Sequence, residues 1–235
     1  EGDIDVIIDV VRKMQESGKI LAAVHHELRN FIKPGVKTIE IDKFVEKFLL
    51  KHNATPEQKG YEGFPYSICA SVNDEICHGF PGEYVLKDGD IITVDMVVNY
   101  NDWLADSAWS YEVGDVSDDA KNLLKITRES MYKGIEKAVL GNRLGDISHA
   151  VQEHAESNGY SVVREFVGHG IGREMHEDPQ VLHYGKAGRG VRLQEGMVFT
   201  VEPMINMGKK ELKIDSNGWT ARTLDGSLSC LLYTS

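Results

Sequence analysis

Apolar residues recur along this chain with two different periods, and each change of period marks a new element. Ile7, Val10, Val11, Met14, Leu21, Val24 and Leu28 follow helical spacing, which predicts a long first helix ending before Pro34-Gly35. Thr38 reads as an N-cap with Glu40 and Asp42 in the first turn, and Ile41, Phe44, Val45, Phe48 and Leu49 make the stripe of a second helix. Gly and Pro punctuate 60–65, and strand-like segments follow at 66–72, 91–99 and 103–113. Ser117-Asp118-Asp119 opens a third helix striped by Leu123, Leu124, Met131, Ile135 and Val139 and stopped by Gly141. A fourth helix spans about 146–158, and strand-like segments return at 161–167 and 197–203. The order helix, helix, strands therefore occurs twice. It predicts an α+β fold in one domain over 1–235, with halves 1–114 and 115–235.

The period-two alternation is clearest at 91–99. Ile92, Val94, Met96 and Val98 share one face, and Thr93, Asp95, Val97 and Asn99 share the other. Asn99-Tyr100-Asn101-Asp102 reads as a turn, and Trp103, Ala105, Ser107, Trp109 and Tyr111 as the return strand. A turn centred on Tyr100-Asn101 sets Asp95 directly opposite Asp106. Like charges opposed on a sheet repel, and a cation between them converts repulsion into chelation. For this pair in isolation, two solvated carboxylates on an exposed face is the plainer reading.

Composition narrows the field. Apolar residues make up 41% of 235, enough for a substantial core, and the net charge of −11 disfavours a nucleic-acid or anionic-membrane partner. Three cysteines, Cys69, Cys77 and Cys230, argue against a disulfide framework and for a reducing compartment. No apolar run approaches a membrane span, the N-terminus has no signal-like core, and the absence of an initiator Met suggests a processed or partial product.

Three further clusters carry candidate chemistry. Phe166-Val167-Gly168-His169-Gly170-Ile171-Gly172 sets a His between glycines, which let backbone approach a ligand closely, and it lacks the spacing of either phosphate-loop fingerprint. His176-Glu177-Asp178-Pro179 follows, without the second His of a His-Glu-x-x-His zinc motif. Val198-Phe199-Thr200-Val201-Glu202-Pro203-Met204 ends an apolar run on Glu202, either a ligand, a general base or a strand-end charge in water. In Ser71-Val72-Asn73-Asp74-Glu75-Ile76-Cys77-His78-Gly79, neighbouring Cys77 and His78 point to opposite faces of a strand. Cys77 thus reads as a buried hydrophobe, and His78 is free for a polar site.

Together these motifs, with Glu202-Pro203-Met204 and Gly218-Trp219-Thr220, resemble the short bacterial type I methionine aminopeptidases over nearly the whole chain. The resemblance implies a pita-bread fold, two pseudo-symmetric halves around a central antiparallel sheet. It implies metal ligands at Asp95, Asp106, His169 and Glu202, with Asp106 bridging two divalent ions. Carboxylate-rich ligation with one His suits Co, Mn or Fe, with Zn a further candidate. His78, His176 and Glu202 would be catalytic: Glu202 moves the proton, His176 stabilises oxygen charge and His78 orients the amide. His78, His176, Tyr61, Phe64, Cys69, Met175 and Trp219 would contact the substrate, the N-terminal Met of nascent polypeptides. Family members often carry an aromatic residue at Met175 and a Cys at Gln58. The expected protein is a cytoplasmic monomer, with the ribosome as a further partner and neither nucleic acid nor membrane. The alternatives are a non-catalytic pita-bread binding protein, whose kind usually loses several ligands, and an Xaa-Pro peptidase, whose kind usually carries a large N-terminal domain.

The resemblance breaks down at the C-terminus. Where the family continues into a strand bearing a fifth, bridging Glu ligand, this chain reads Leu231-Leu232-Tyr233-Thr234-Ser235, with Tyr233 at the Glu position. The expectation is a foreign tail on a truncated frame, a missing terminal strand and weakened metal binding.

Overall fold

A computed structural model describes residues 2–234 and side chains from 4 to 233. Helices α1 (Gly2–Phe31) and α2 (Thr38–Lys51) precede β1 (Thr55–Pro56), a 3-10 turn (Tyr61–Gly63), β2 (Cys69–Val72) and β3 (Glu75–Cys77). The long hairpin β4 (Ile91–Tyr100) and β5 (Trp103–Glu112) ends this run. Helices α3 (Asp118–Glu136) and α4 (Leu144–Ser157) open the second. It continues with β6 (Ser161–Val162), β7 (Gly168–Gly170), β8 (Glu177–Val181), β9 (Met204–Asn206), β10 (Leu212–Ile214), β11 (Ala221–Thr223), β12 (Ser229–Leu231) and β13 (Tyr233–Thr234).

The main sheet runs β1-β4-β5-β13, with β2 also paired to β4, and every pairing is antiparallel. Helices α1 and α2 close the face bearing Ile92, Val94, Met96 and Val98, where Leu28, Ile41, Val45 and Leu49 are fully buried. Removing such side chains from water is the main stabilising term, about 1.5–3 kcal/mol each. The opposite face carries Asp95 and Asp106, so the helix-packed core stiffens the strands from behind while their polar face looks into the second half.

Four boundaries differ from those predicted. Lys37, not Thr38, holds the N-cap position of α2. The Thr38 hydroxyl instead accepts the Gly82 N–H at 2.8 Å and donates to the Gly82 carbonyl at 3.2 Å, tying the helix start to a neighbouring loop. Ser117 caps α3 by accepting the Ala120 N–H at 3.1 Å, but the helix ends at Glu136, so Val139 lies beyond it and is 52% exposed. Segments 161–167 and 197–203 hold only Ser161–Val162 and isolated bridges, because backbone in this region meets backbone through glycines rather than through ladders. A Cβ on Gly168 would collide with the Thr200 carbonyl, and one on Gly170 with the Asp178 carbonyl. Finally, the expected loss of a terminal strand is corrected. Tyr233 pairs with Ala108 and Thr234 with Ser107, covering two residues of the β5 edge.

Candidate metal centre

The hairpin positions the first two candidate ligands. Its turn is at Asn101-Asp102, both in the left-handed region (φ 51° and 66°), as a tight two-residue hairpin loop requires. The register therefore differs from the predicted one: Asp95 opposes Ala108, and Asp106 opposes Val97. The two aspartates are diagonal neighbours on one face, still within joint reach of a ligand. Asp106 is 2% exposed.

The other two candidate ligands come from irregular backbone. The His169 Nδ1 lies 2.9 Å from the Gly170 carbonyl oxygen, which can only accept, so Nδ1 carries a proton. Nε2 then faces Asp106 Oδ2 at 3.4 Å and Glu202 Oε2 at 3.6 Å. Thr200 joins His169 and Glu202. Its hydroxyl accepts the His169 N–H at 3.0 Å and donates to Glu202 Oε2 at 2.8 Å, and its own N–H donates to the His169 carbonyl at 2.7 Å. The fully buried ring of His183 accepts the Glu202 N–H on Nε2 at 3.0 Å.

Ligand atoms of Asp106, His169 and Glu202 lie within 4.8 Å of one another. Burial and the charge of Asp106 push both Asp95 and Glu202 well above the ordinary carboxylate range. Burial pulls His169 down, but the hydrogen bond and charge of Asp106 outweigh it and hold the ring above its ordinary value. One buried and two half-buried carboxylates and one imidazole thus stand close together with no Lys or Arg among them. Such a cluster costs several kcal/mol unless protons or a cation sit inside it. The donor set, oxygen-rich with one imidazole nitrogen, fits a divalent ion. Asp95 also turns toward this space, where the Tyr233 hydroxyl is hydrogen-bonded to Asp95 Oδ1 and Asp106 Oδ1.

The other predicted residues fall into adjoining groups. The His176 ring lies 4.4 Å from His169, and its Nδ1 is 3.1 Å from the Tyr61 hydroxyl. Burial and then His169 lower His176, while burial and then His176 lower His78. His78 sits just past β3 with φ 57° and packs edge-on against Trp219, which in turn meets Phe64 at 5.2 Å. Cys69 opposes Asp95 across β2–β4, and its thiol accepts from Gln58 Nε2 at 3.6 Å. Met175 stands apart from this aromatic group, packed with Met14, Val97, Leu104 and Ile171. A cleft of about 600 Å³ opens at His169 and His176, rimmed by Glu165, Glu174, Glu177 and Asp178. Sequence reasoning missed Thr200 and His183. The Thr200-x-Glu202 spacing in an extended run, which puts both on one face, was a usable signal for the first; nothing local marks His183.

Residues 12–225 match the model of metallopeptidase family M24. Methionine aminopeptidase 1 of Bacillus subtilis is 52% identical over 213 residues, covering 91% of this chain and 86% of that protein. The chain belongs to the methionine aminopeptidases of metallopeptidase family M24. The methionine aminopeptidase of Clostridium perfringens is 51% identical over 94% of this chain and 88% of its own length. The crystal structure of the Rickettsia prowazekii methionine aminopeptidase superposes with a TM-score of 0.94 at 43% identity, covering 96% of this chain and 91% of that one. The prolidase of Pyrococcus furiosus, only 19% identical, shares the fold with a TM-score of 0.76 over 96% of this chain and 60% of its own. Members of this family share the pita-bread fold, and the doubled helix-helix-strand order seen here is its layout. Among the described residues no helix is long and apolar enough to cross a membrane.

Proposed function

We propose that this chain removes the N-terminal methionine of polypeptides by hydrolysing their first peptide bond, as one catalytic domain with two divalent ions held by Asp95, Asp106, His169 and Glu202. The observation that carries this reading is the convergence of Asp106, His169 and Glu202, with His169 also lining a cleft that exposes His176. When bound, the ions supply Lewis-acid polarisation of the scissile carbonyl and a nucleophilic water at neutral pH. Mn, Fe or Co suits the oxygen-rich donors, with Zn as a further candidate.

The protein's own groups do the rest. Glu202 takes a proton from the attacking water on its carboxylate and returns it to the nitrogen of the departing amine. Its Oε2 is kept in line by the Thr200 hydroxyl. His176, steadied by Tyr61, donates to the carbonyl oxygen as negative charge grows there. His78 orients the scissile amide. Phe64, Trp219, Tyr61 and Cys69 offer apolar and soft surface for a thioether side chain. The acidic rim formed by Glu165, Glu174, Glu177 and Asp178 suits the protonated amino end of a peptide. We further infer a cytoplasmic monomer that meets its substrates as they leave the ribosome.

The test is cleavage of Met-Ala-Ser against an Xaa-Pro dipeptide by metal-loaded protein. Release of Met from the first, with the second untouched, is expected. Preferential cleavage before proline, or no cleavage of either under metals that bind, overturns the reading.

A further inference from the structure

Tyr233 is buried, 4% exposed, and its hydroxyl meets Asp95 Oδ1 and Asp106 Oδ1 together. A divalent ion bonds carboxylate oxygens at about 2.0–2.2 Å, so an ion shared by these two atoms needs the space this hydroxyl fills. The phenol has only one proton to donate, and it faces two carboxylates. It therefore matches the pair sterically without matching its charge. The group of ligand atoms that closes to within 4.8 Å is Asp106, His169 and Glu202, without Asp95. The Tyr233 ring packs among Ile76, Cys77, Ala108 and Leu231, and its strand pairs with β5 at Tyr233–Ala108 and Thr234–Ser107. A cleft of about 910 Å³ between α1 and β5, lined in part by His25, Leu104, Ser107 and Val198, reaches the tyrosine and gives its ring a place to go.

We propose that Tyr233 is a displaceable plug of the metal centre. While seated, it restricts the chain to one tightly held ion at Asp106, His169 and Glu202, and the position between Asp95 and Asp106 opens to a second ion only when the ring swings into the α1 cleft. This rests on the metal-centre reading above and makes the occupancy of the second position a property of one side chain.

The experiment counts Mn²⁺ bound per chain in dialysed protein by plasma mass spectrometry, and reads the second ion by titration calorimetry and by the exchange-coupled electron paramagnetic resonance of paired Mn²⁺. Wild type is compared with Tyr233→Phe, which keeps the ring and its packing, and with Tyr233→Ala. Thermal unfolding confirms that each variant is folded. Because a hydrogen bond to a charged group is lost from the competing state, the second ion is expected to bind on the order of 10–100-fold more tightly in Tyr233→Phe than in wild type. The coupled signal is expected in the variants at Mn²⁺ concentrations where wild type shows only isolated ions. Equal second-ion affinity in wild type and Tyr233→Phe overturns the plug. So does a second ion that binds wild type but not Tyr233→Phe, since the hydroxyl would then be a ligand. Binding of no ion by any of the three chains instead refutes the metal-centre reading itself.

Discussion

In the β4–β5 hairpin, ten consecutive residue pairs carry Asp95 and Asp106 on one continuous ladder. Segment 163–203 brings His169, His176 and Glu202 to the same place with short pairings, isolated bridges and side-chain hydrogen bonds. The two regions solve one problem by different means. On the hairpin a ligand's position follows from turn type and period-two alternation, so it is encoded locally and braced by the helix-packed face behind it. In the irregular segment each ligand's position depends on groups distant in sequence: the Thr200 hydroxyl for His169 and Glu202, the His183 ring for the Glu202 backbone, and Gly168 and Gly170 for the close approach of neighbouring carbonyls. The hairpin should therefore tolerate substitution next to its ligands, and the irregular segment should not.

The largest effect is expected at the hairpin ligand shared by both regions. Asp106→Asn should cost more Mn²⁺ affinity than the about 10–100-fold typical of changes outside the ligand set, and should abolish Met-Ala-Ser hydrolysis. Calorimetric titration and a Met-release assay read both. The next effect sharpens the contrast. Thr200→Val keeps shape but removes the hydroxyl that links His169 to Glu202, and should weaken metal binding by about 10–100-fold, while Thr200→Ser stays near wild type. Equal affinities in the Val and Ser variants would show that the irregular segment does not need that link.

Much of this was legible in the sequence, for reasons that track the same division. The alternation at 91–99 and the helical stripes of α1 and α2 identified their elements because burial on one face imposes the period. The register was misplaced because both Tyr100-Asn101 and Asn101-Asp102 read as turn residues, and only the left-handed backbone at 101 and 102 decides between them. Asp95 and Asp106 stayed on one face regardless, since the shift was by two residues, and only a one-residue slip reverses facing. Gly168-His169-Gly170 and Glu202 were legible as motifs. Segments 161–167 and 197–203 looked like long strands because their apolar residues are buried by contacts with α3 and α4 that no local pattern distinguishes from a ladder. Tyr233 could be seen to stand where a carboxylate is expected, but not that its hydroxyl reaches both aspartates.

A third prediction breaks the irregular region without touching a ligand. Gly168→Ala drives a methyl group into the Thr200 carbonyl and should destabilise the fold by about 1–3 kcal/mol in denaturant unfolding. The same test at the hairpin is gentler and depends on pH. His25 on α1 bonds the Ser107 and Tyr111 hydroxyls of β5 at 3.0 and 2.8 Å, and burial lowers its pKa to about 4. The unfolded ring, with a pKa near about 6.5, binds protons more readily than the folded one. This contribution is therefore complete above about pH 6.5 and is lost as pH falls toward 4, amounting to on the order of 1 kcal/mol at pH 5.5. His25→Gln should flatten the pH dependence of stability across that window.

Anionic oxygens from the hairpin and donors from the irregular segment are expected to hold a divalent ion between them. Anomalous diffraction from crystals grown with Mn²⁺ tests it most directly. A peak is expected within about 2.0–2.3 Å of an Asp106 carboxylate oxygen, His169 Nε2 and a Glu202 carboxylate oxygen. A Mn²⁺ peak located elsewhere, or none at this cluster in crystals of a chain that binds Mn²⁺ in solution, would contradict it.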